Sequence, residues 1–318
     1  MRLFNAILMI LTFFVFGCQK PSDTEKVTLL LDWLPNPNHI PLFVGQELGY
    51  FVEEGIDLEV LKLLDPPSAL PYLQSGKVDL ILYYMPYALM ALPKERNLRA
   101  VGVLIAEPLD GVICLSAEKE DVIKSCQSKT LGMYPGSRIA KYLEAIFKDQ
   151  GLVFGDTKKI GIEPALALMT GLVDAIAGVY WNIEPFQLDG LGQKTDFIKL
   201  SDLGLPHYHE LIFVTREDVL IKRPSLKVHF QRALQKSLDF CKSHPDKAFA
   251  FYLKQCEGKS VATQAWEEKS WSATVPLLPL HQTLDPALFT SFIRWLEEKE
   301  LIIEGEIDAE LFLHNGKM

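Results

Sequence analysis

Two segments of this chain, "SGKVDLILYY" at residues 75–84 and "TGLVDAIAGVY" at 170–180, carry the same signals in the same order. Each ends a helical run at a glycine, continues with Val-Asp, and enters an apolar run that closes on tyrosine. A helix stopped by glycine and followed at once by a buried strand is part of a βαβ unit. Meeting it twice, with strand signals on either side, restricts the chain to two α/β lobes of comparable build.

The surrounding sequence fits that organisation. "VTLLLDW" reads as a strand, after which Pro35, Pro37 and Pro41 hold the next loop out of helix. "IPLFVGQELGYFVEEG" has apolar residues at helical spacing up to Gly55, and "IDLEVLKLL" alternates as a strand. "DPPSALPYLQSGK" predicts a capped helix ending at Gly76, and "PYALMALPKER" another helix. The pattern changes at "LRAVGVLIAEPLDGVICLSAE", where two apolar runs meet across a turn rather than a helix, as a crossover between lobes would. It restarts in "KTLGMYPGSRIAKYLEAIFKDQGL". "LPHYHELIFVTRED" reads as the return, and "PSLKVHFQRALQKSLDFCKSHPDKAFAFYLKQC" and "DPALFTSFIRWLEEKELI" as closing helices. The expected lobes are 27–110 and 111–205, with 206–318 returning to the first. A cleft between two such lobes, beyond the carboxyl ends of the strands, is where a ligand would sit.

The first residues stand apart. One cation, Arg2, precedes a largely apolar stretch from Leu3 to Phe16, which suits the core of an export signal and falls short of the roughly 20 residues that span a bilayer. Gly17-Cys18 followed by the polar run Gln19 to Lys26 resembles a lipobox. On that reading 1–17 is a signal peptide, Cys18 is lipidated, and 18–26 tethers the protein to the membrane of the cell envelope; the alternative is an ordinary signal with a chance cysteine. Cys114, Cys126, Cys241 and Cys256 form no C-x-x-C or zinc-ribbon spacing, and buried free thiols are at least as good a reading as a Cys241–Cys256 pair. With 32 basic against 41 acidic residues and no basic block, nucleic acid is not an expected partner.

"DWLPNPNHIPLFVGQELGYFVEEGIDLEV", "SGKVDL", "EPLDGVICL", "LGMYPGSRIAKYLE" and "GLVDAIAGVYWNIEPFQL" together resemble the NMT1/THI5-like thiamine-pyrimidine family from about Val27 to Thr215. That family includes solute-binding proteins of ABC importers for thiamine precursors and fungal pyrimidine synthases. The resemblance implies the type II two-lobe periplasmic-binding-protein fold, with two crossover strands, a ligand cleft and an ABC permease as partner. The synthases use a Lys and a His after the "GKVD" strand and a Cys-rich stretch, and they consume a pyridoxal cofactor. Tyr83, Tyr87 and "LPHYH" (205–209) stand in the corresponding places here, so the resemblance implies transport without a cofactor or a catalytic residue, with a diverged synthase as the alternative.

A flat aminopyrimidine needs stacking faces and hydrogen-bonding partners at its edge. Trp33, Tyr83 and Tyr84 can supply faces, and Asn38, His39, Asn182 and Glu184 polar contacts. If "GVYWNIE" stays extended, Tyr180, Asn182 and Glu184 share a side and Trp181 faces away. Gly136 and Ser137, with Arg138, stand at a helix N-terminus that would suit a formyl or phosphate group. Each has a structural alternative: core packing for the aromatics, loop capping for Asn38, helix capping for Ser137 and Glu184. A sulfonate or nitrate ligand would rest on Ser137 and Arg138, with Glu184 a liability. A metal would need His39, His207 and His209, with Glu210 alongside. Closure is expected to hinge near 107–113 and 205–213.

Overall fold

The protein is described by a computed structural model covering residues 24–62, 69–116, 130–135, 139–151, 155–161 and 163–313. The export signal, Cys18, most of the tether, Cys126, Gly136, Ser137 and Arg138 lie outside the described residues.

Two five-stranded sheets form the frame. The first contains β1 (Glu25–Leu30), β2 (Ile56–Leu61), β3 (Leu80–Tyr84), β4 (Leu98–Ile105) and β10 (Leu211–Arg216), in the order β2-β1-β3-β10-β4. The second contains β5 (Asp110–Leu115), β6 (Leu131–Met133), β7 (Thr157–Lys159), β8 (Ala175–Tyr180) and β9 (Thr195–Lys199), in the order β7-β6-β8-β5-β9. In each sheet three parallel strands are followed by an antiparallel one, β10 in the first and β5 in the second. The chain passes from the first sheet to the second between Ile105 and Asp110 and comes back between Lys199 and Leu211. This is the two-lobe type II arrangement.

The repeated Val-Asp has the same structural task in both lobes. Asp79 accepts the Thr28 N–H at 2.9 Å and returns its own N–H to Thr28 O at 3.1 Å. Asp174 accepts the Thr130 N–H at 2.8 Å and donates to Thr130 O at 2.9 Å. Each Asp thereby fixes the register of its strand against the parallel neighbour, so Tyr84 and Tyr180 end equivalent strands.

Both faces of the first sheet are covered, as a largely parallel sheet requires. Val27, Leu29 and Leu31 enter one core with Phe43, Phe51 and Phe230, whereas Leu30 points into another with Ile81 and Val103. That second core continues through Tyr142, Phe292 and Trp295 to Val112 and Ala177 of the second sheet, so the lobes share packed interior.

Several local expectations change. The helix predicted for 40–55 is two, Ile40–Glu47 and Tyr50–Glu53, divided at Gly49, whose φ of 74° is the left-handed conformation that ends a helix. The tether expected to run to Lys26 overlaps β1, which begins at Glu25. A helix at Val261–Thr274 was not anticipated.

Candidate functional site

A cavity of about 450 Å³ lies between the lobes at the carboxyl ends of β1, β3, β6 and β8. Its size is in the range of small-molecule sites. β1 delivers Asp32 and Trp33, β3 Tyr84, β6 Tyr134, and β8 Tyr180, while Asp110 enters from the start of β5. Gly178, the extra residue of a bulge in β8 opposite Gly111 and Val112, adopts φ 79° and forms part of the wall. The wall farthest along the chain comes from the Val261–Thr274 helix and the residue before its cap: Lys259, Thr263, Trp266 and Glu267.

Aromatic rings from both lobes meet across this space. Trp33 stands edge-on to Tyr134, centroids 5.0 Å apart at 63°, and Tyr84 meets Tyr180 at 6.4 Å and 69°. Tyr84 also touches Tyr87, another wall residue, at 5.3 Å. The rings leave broad faces for a flat ligand.

Between the rings the wall is acidic. Asp32, Asp110, Glu163, Glu184 and Glu267 line it, and among the described lining residues Lys259 is the one cation. Lys259 is already ion-paired with Glu267. Burial pushes the Glu184 carboxyl up to about 7, although it accepts the Tyr180 N–H at 2.7 Å. Asp110 is held well above the carboxylate range, first by burial and then by the charges of Glu210 and Glu184. Glu210, buried behind Asp110, is likewise raised to about 7 by burial. Its Oε2 accepts the N–H groups of Leu109 at 2.6 Å and Asp110 at 3.3 Å and the Tyr208 hydroxyl at 3.0 Å. Since Leu109 and Glu210 lie on opposite crossovers, this carboxyl ties the two connectors together.

The Pro-rich loop after β1 is rigid for a local reason. Asn36 Oδ1 accepts the Asn38 N–H at 2.9 Å, and His39 Nδ1 accepts the Asn36 N–H at 3.1 Å, a reciprocal cap on the short turn Pro37–His39. With Nδ1 as acceptor, the His39 ring carries its proton on Nε2 and donates it to Asp32 Oδ1 at 2.8 Å. His39 thus sets the orientation of Asp32 and does not itself line the cavity.

Of the residues expected at the site, the structure brings Trp33, Tyr84, Tyr180 and Glu184 together. Asn38, His39, Tyr83 and Asn182 are not on the wall. Tyr83 points the other way along β3 into the core, as strand alternation dictates. Asn38 and Asn182 are fully buried and bond to each other. The alternation argument for 180–184 fails because β8 ends at Tyr180 and a turn carries the chain to the Glu184–Gly190 helix. Trp181 does face away, donating Nε1–H to Pro108 O at 3.2 Å with Lys199 Nζ 4.2 Å from its ring centroid. Gly136 and Ser137 lie outside the described residues.

The histidines do not converge. His207 is exposed beside Glu107, and His209 turns Nδ1 to Ala106 O at 3.1 Å and packs on Phe289. Among the described residues no three His, Cys, Asp or Glu side chains group as metal ligands. Cys114 is buried, and Cys241 and Cys256 are buried thiols that are not joined in a disulfide.

Reading the sequence missed Asp32, Asp110, Tyr134 and the whole contribution of the last helices. Asp32 and Asp110 stand inside quoted strings, "DWLPNPNH" and "EPLDGVICL", and strand-end position could have found them. Lys259 and Glu267 sit in a stretch without motif or clean periodicity.

The NMT1/THI5 like family model matches residues 36–248. The chain is 29% identical over 285 residues to the formylaminopyrimidine-binding protein of Halalkalibacterium halodurans, covering 86% of this chain and 85% of that one. It is also 29% identical over 244 residues to the 4-amino-5-hydroxymethyl-2-methylpyrimidine phosphate synthase THI5 of Saccharomyces cerevisiae, covering 73% and 71%. Among solved structures, the periplasmic aliphatic sulphonate binding protein SsuA from Escherichia coli matches with a TM-score of 0.67 at 14% identity, over 91% of this chain and 97% of that one. At that identity the likeness speaks for the fold alone. With two thirds of its residues matched by the family model and the two-lobe frame in place, the chain belongs to the NMT1/THI5 like family.

Proposed function

We propose that this protein is the solute-binding component of an ABC importer and that it captures a thiamine-precursor aminopyrimidine or a similar small heteroaromatic. The carrying observation is a wall that is both aromatic and acidic, with its described lysine already paired. A flat ring with an exocyclic amine fills such a space: the rings supply faces, and Glu184 accepts from the amine edge. An anion fits poorly, because a sulfonate or nitrate would be buried among carboxylates and repelled. The lobes close about the connectors near 107–113 and 205–213, which Glu210 ties together. Export to the cell envelope, a lipid anchor on Cys18 and delivery to a permease complete this reading; no metal, cofactor or nucleic acid enters it.

The experiment is mass spectrometry of small molecules released from purified protein on denaturation, followed by titration of the emptied protein with that compound. An aminopyrimidine is the expected release. An alkanesulfonate or a metal ion in its place would overturn the assignment.

A synthase reading is favoured by the equal identity to THI5. Against it, the lysine amine of the described wall, Lys259, is engaged by Glu267 and the Tyr252 hydroxyl, so a Schiff base there would first break a partly buried ion pair. Incubation with pyridoxal phosphate should yield no pyrimidine; one equivalent per chain would revive the enzymatic reading.

A further inference from the structure

The Val261–Thr274 helix is fastened to the first lobe on one side and meets the second lobe on the other. Trp271 is 2% exposed in the core that holds Val27, Leu29 and Phe43, and its Nε1–H donates to Pro245 O at 2.9 Å. Glu267 accepts the Tyr252 hydroxyl at 2.9 Å. The opposite neighbour is the Glu184–Gly190 helix of the second lobe, and both helices line the cavity, one through Glu184 and Gln187, the other through Thr263 and Trp266. Their contacts run from buried to exposed. At the inner end Asn182, just before the second-lobe helix, is fully buried and donates to Thr274 Oγ1 at 2.8 Å. At the outer end Lys269 Nζ lies 2.9 Å from Asp189, with side chains 58% and 63% exposed. Lobes that hinge at the connectors cannot separate unless this contact parts.

Gly190 stands where the contact is tightest. A Cβ placed there would lie 3.3 Å from Trp266 Cβ and 3.4 Å from Trp266 Cδ1, and the three nearest atoms all belong to Trp266. The backbone does not call for glycine at this position. The left-handed turn that ends the helix is made at Gly192, φ 74°, where the Gly192 N–H bonds Asp189 O and the Gln193 N–H bonds Leu188 O, each at 2.9 Å. Glycine inside a helix weakens it relative to alanine. What the missing side chain makes room for is the Trp266 ring.

We infer that Trp266 seated on Gly190 is the gate of the cavity: ligand enters and leaves when these two helices part, and the contact sets the rate of exchange rather than the affinity. The inference goes beyond the ligand reading, since it needs the cavity to be the site and is indifferent to which compound fills it. The contact is made by the protein alone. Weakening it opens the empty and the filled forms alike, so the on and off rates change together and Kd is kept. The exposed Asp189–Lys269 pair is weak and parts first.

The test locks the gate. Native disulfides hold their Cβ atoms about 3.5 to 4.5 Å apart, so a Gly190→Cys, Trp266→Cys pair bridges after a shift of a few tenths of an ångström. Exchange of 4-amino-5-hydroxymethyl-2-methylpyrimidine into and out of the full chain is followed through Trp33 fluorescence. Protein loaded before oxidation should hold the probe on the order of 100-fold longer than the reduced form, and empty oxidised protein should take it up slower by a similar factor. Slowing of less than roughly tenfold would overturn the gate. Gly190→Ala is the second variant, usable if the bridge does not form. Its methyl displaces Trp266, so both rates should rise roughly three- to tenfold with Kd within about twofold. An affinity loss carried by the off rate alone would make Trp266 mere wall and sink the idea. If the wild type does not bind the probe, the aminopyrimidine reading falls, and hydrogen exchange at the 184–190 amides decides the gate without ligand. Faster exchange in Gly190→Ala supports it; unchanged or slower exchange, which the helix propensity of alanine alone would give, refutes it.

Discussion

Asn182 donates from Nδ2 to Asn38 Oδ1 at 2.7 Å, and this bond joins the turn after β8 in one lobe to the loop after β1 in the other. Both side chains are fully buried. The same Asn182 amide donates to Thr274 Oγ1 at 2.8 Å, and Ser270 Oγ donates to the Asn182 carbonyl, so the Val261–Thr274 helix braces the junction. Two residues expected to touch ligand are therefore a latch between the lobes. Asn182→Ala should cost about 1 to 3 kcal/mol of stability, because Asn38 Oδ1 loses its 2.7 Å donor and keeps the Thr274 hydroxyl at 3.4 Å. In a double-mutant cycle with Asn38→Ala, urea unfolding should give a coupling of about 1 kcal/mol or more. Additive losses would mean that the pair does not hold the lobes together.

His39 acts on the ligand site through Asp32. His39→Ala removes the 2.8 Å bond that points the Asp32 carboxylate and also half of the reciprocal cap. Ligand affinity should fall roughly tenfold and stability by about 1 to 2 kcal/mol. Asp32→Asn, which can still accept from His39, should keep the stability and lose the affinity. Equal effects of both substitutions on stability would refute the division of roles.

The frame was legible in the sequence, and the site only partly. The twin Val-Asp strands could be read because Asp79 and Asp174 do the same backbone work, and chemistry that local leaves the same residues in the same order. Trp33 and Tyr84 could be read because strand ends face the cleft. Tyr83 could not be separated from Tyr84 without knowing which strand face is buried, since a strand covered on both sides has no polar alternation to reveal it. Lys259 and Glu267 were invisible for another reason. The buried face of the helix that Lys259 precedes and Glu267 stands on is Glu267, Ser270, Trp271 and Thr274, largely polar residues that serve the cavity and the latch, so the usual apolar stripe is missing.

Burial of Glu184 and Glu210 gives stability a definite sign with pH. Both carboxyls titrate near 7 in the fold against about 4.5 when exposed, so between those values the folded chain binds more protons than the unfolded one. Through these two groups the stability of the ligand-free protein falls as pH rises from about 4.5 to 7. Each group contributes on the order of 3 kcal/mol. Thermal melts at pH 5 and pH 8 should show the higher Tm at pH 5. Glu184→Gln, which can still accept the Tyr180 N–H, should raise the pH 8 Tm of the empty protein while weakening ligand by roughly 10-fold or more. An unchanged slope in that variant would show that Glu184 stays ionised throughout.

Neighbouring tyrosines on β3 provide the sharpest test of which face meets ligand. Tyr84 lies on the wall and meets Tyr180 of the other lobe, whereas Tyr83, 6% exposed, packs in the core. Tyr84→Ala removes a stacking face and a cross-lobe contact, and aromatic contacts of this kind contribute about 0.5 to 1.5 kcal/mol beyond the area they bury. Ligand affinity should drop by roughly tenfold or more with a modest change in Tm. Tyr83→Phe keeps the ring, so affinity should stay within twofold and any effect should appear in stability. Titrations followed by the fluorescence of Trp33, which borders the same space, would report both variants. A larger affinity loss from Tyr83→Phe than from Tyr84→Ala would mean that ligand enters from the opposite face of the sheet, and the cavity between the lobes would lose its role.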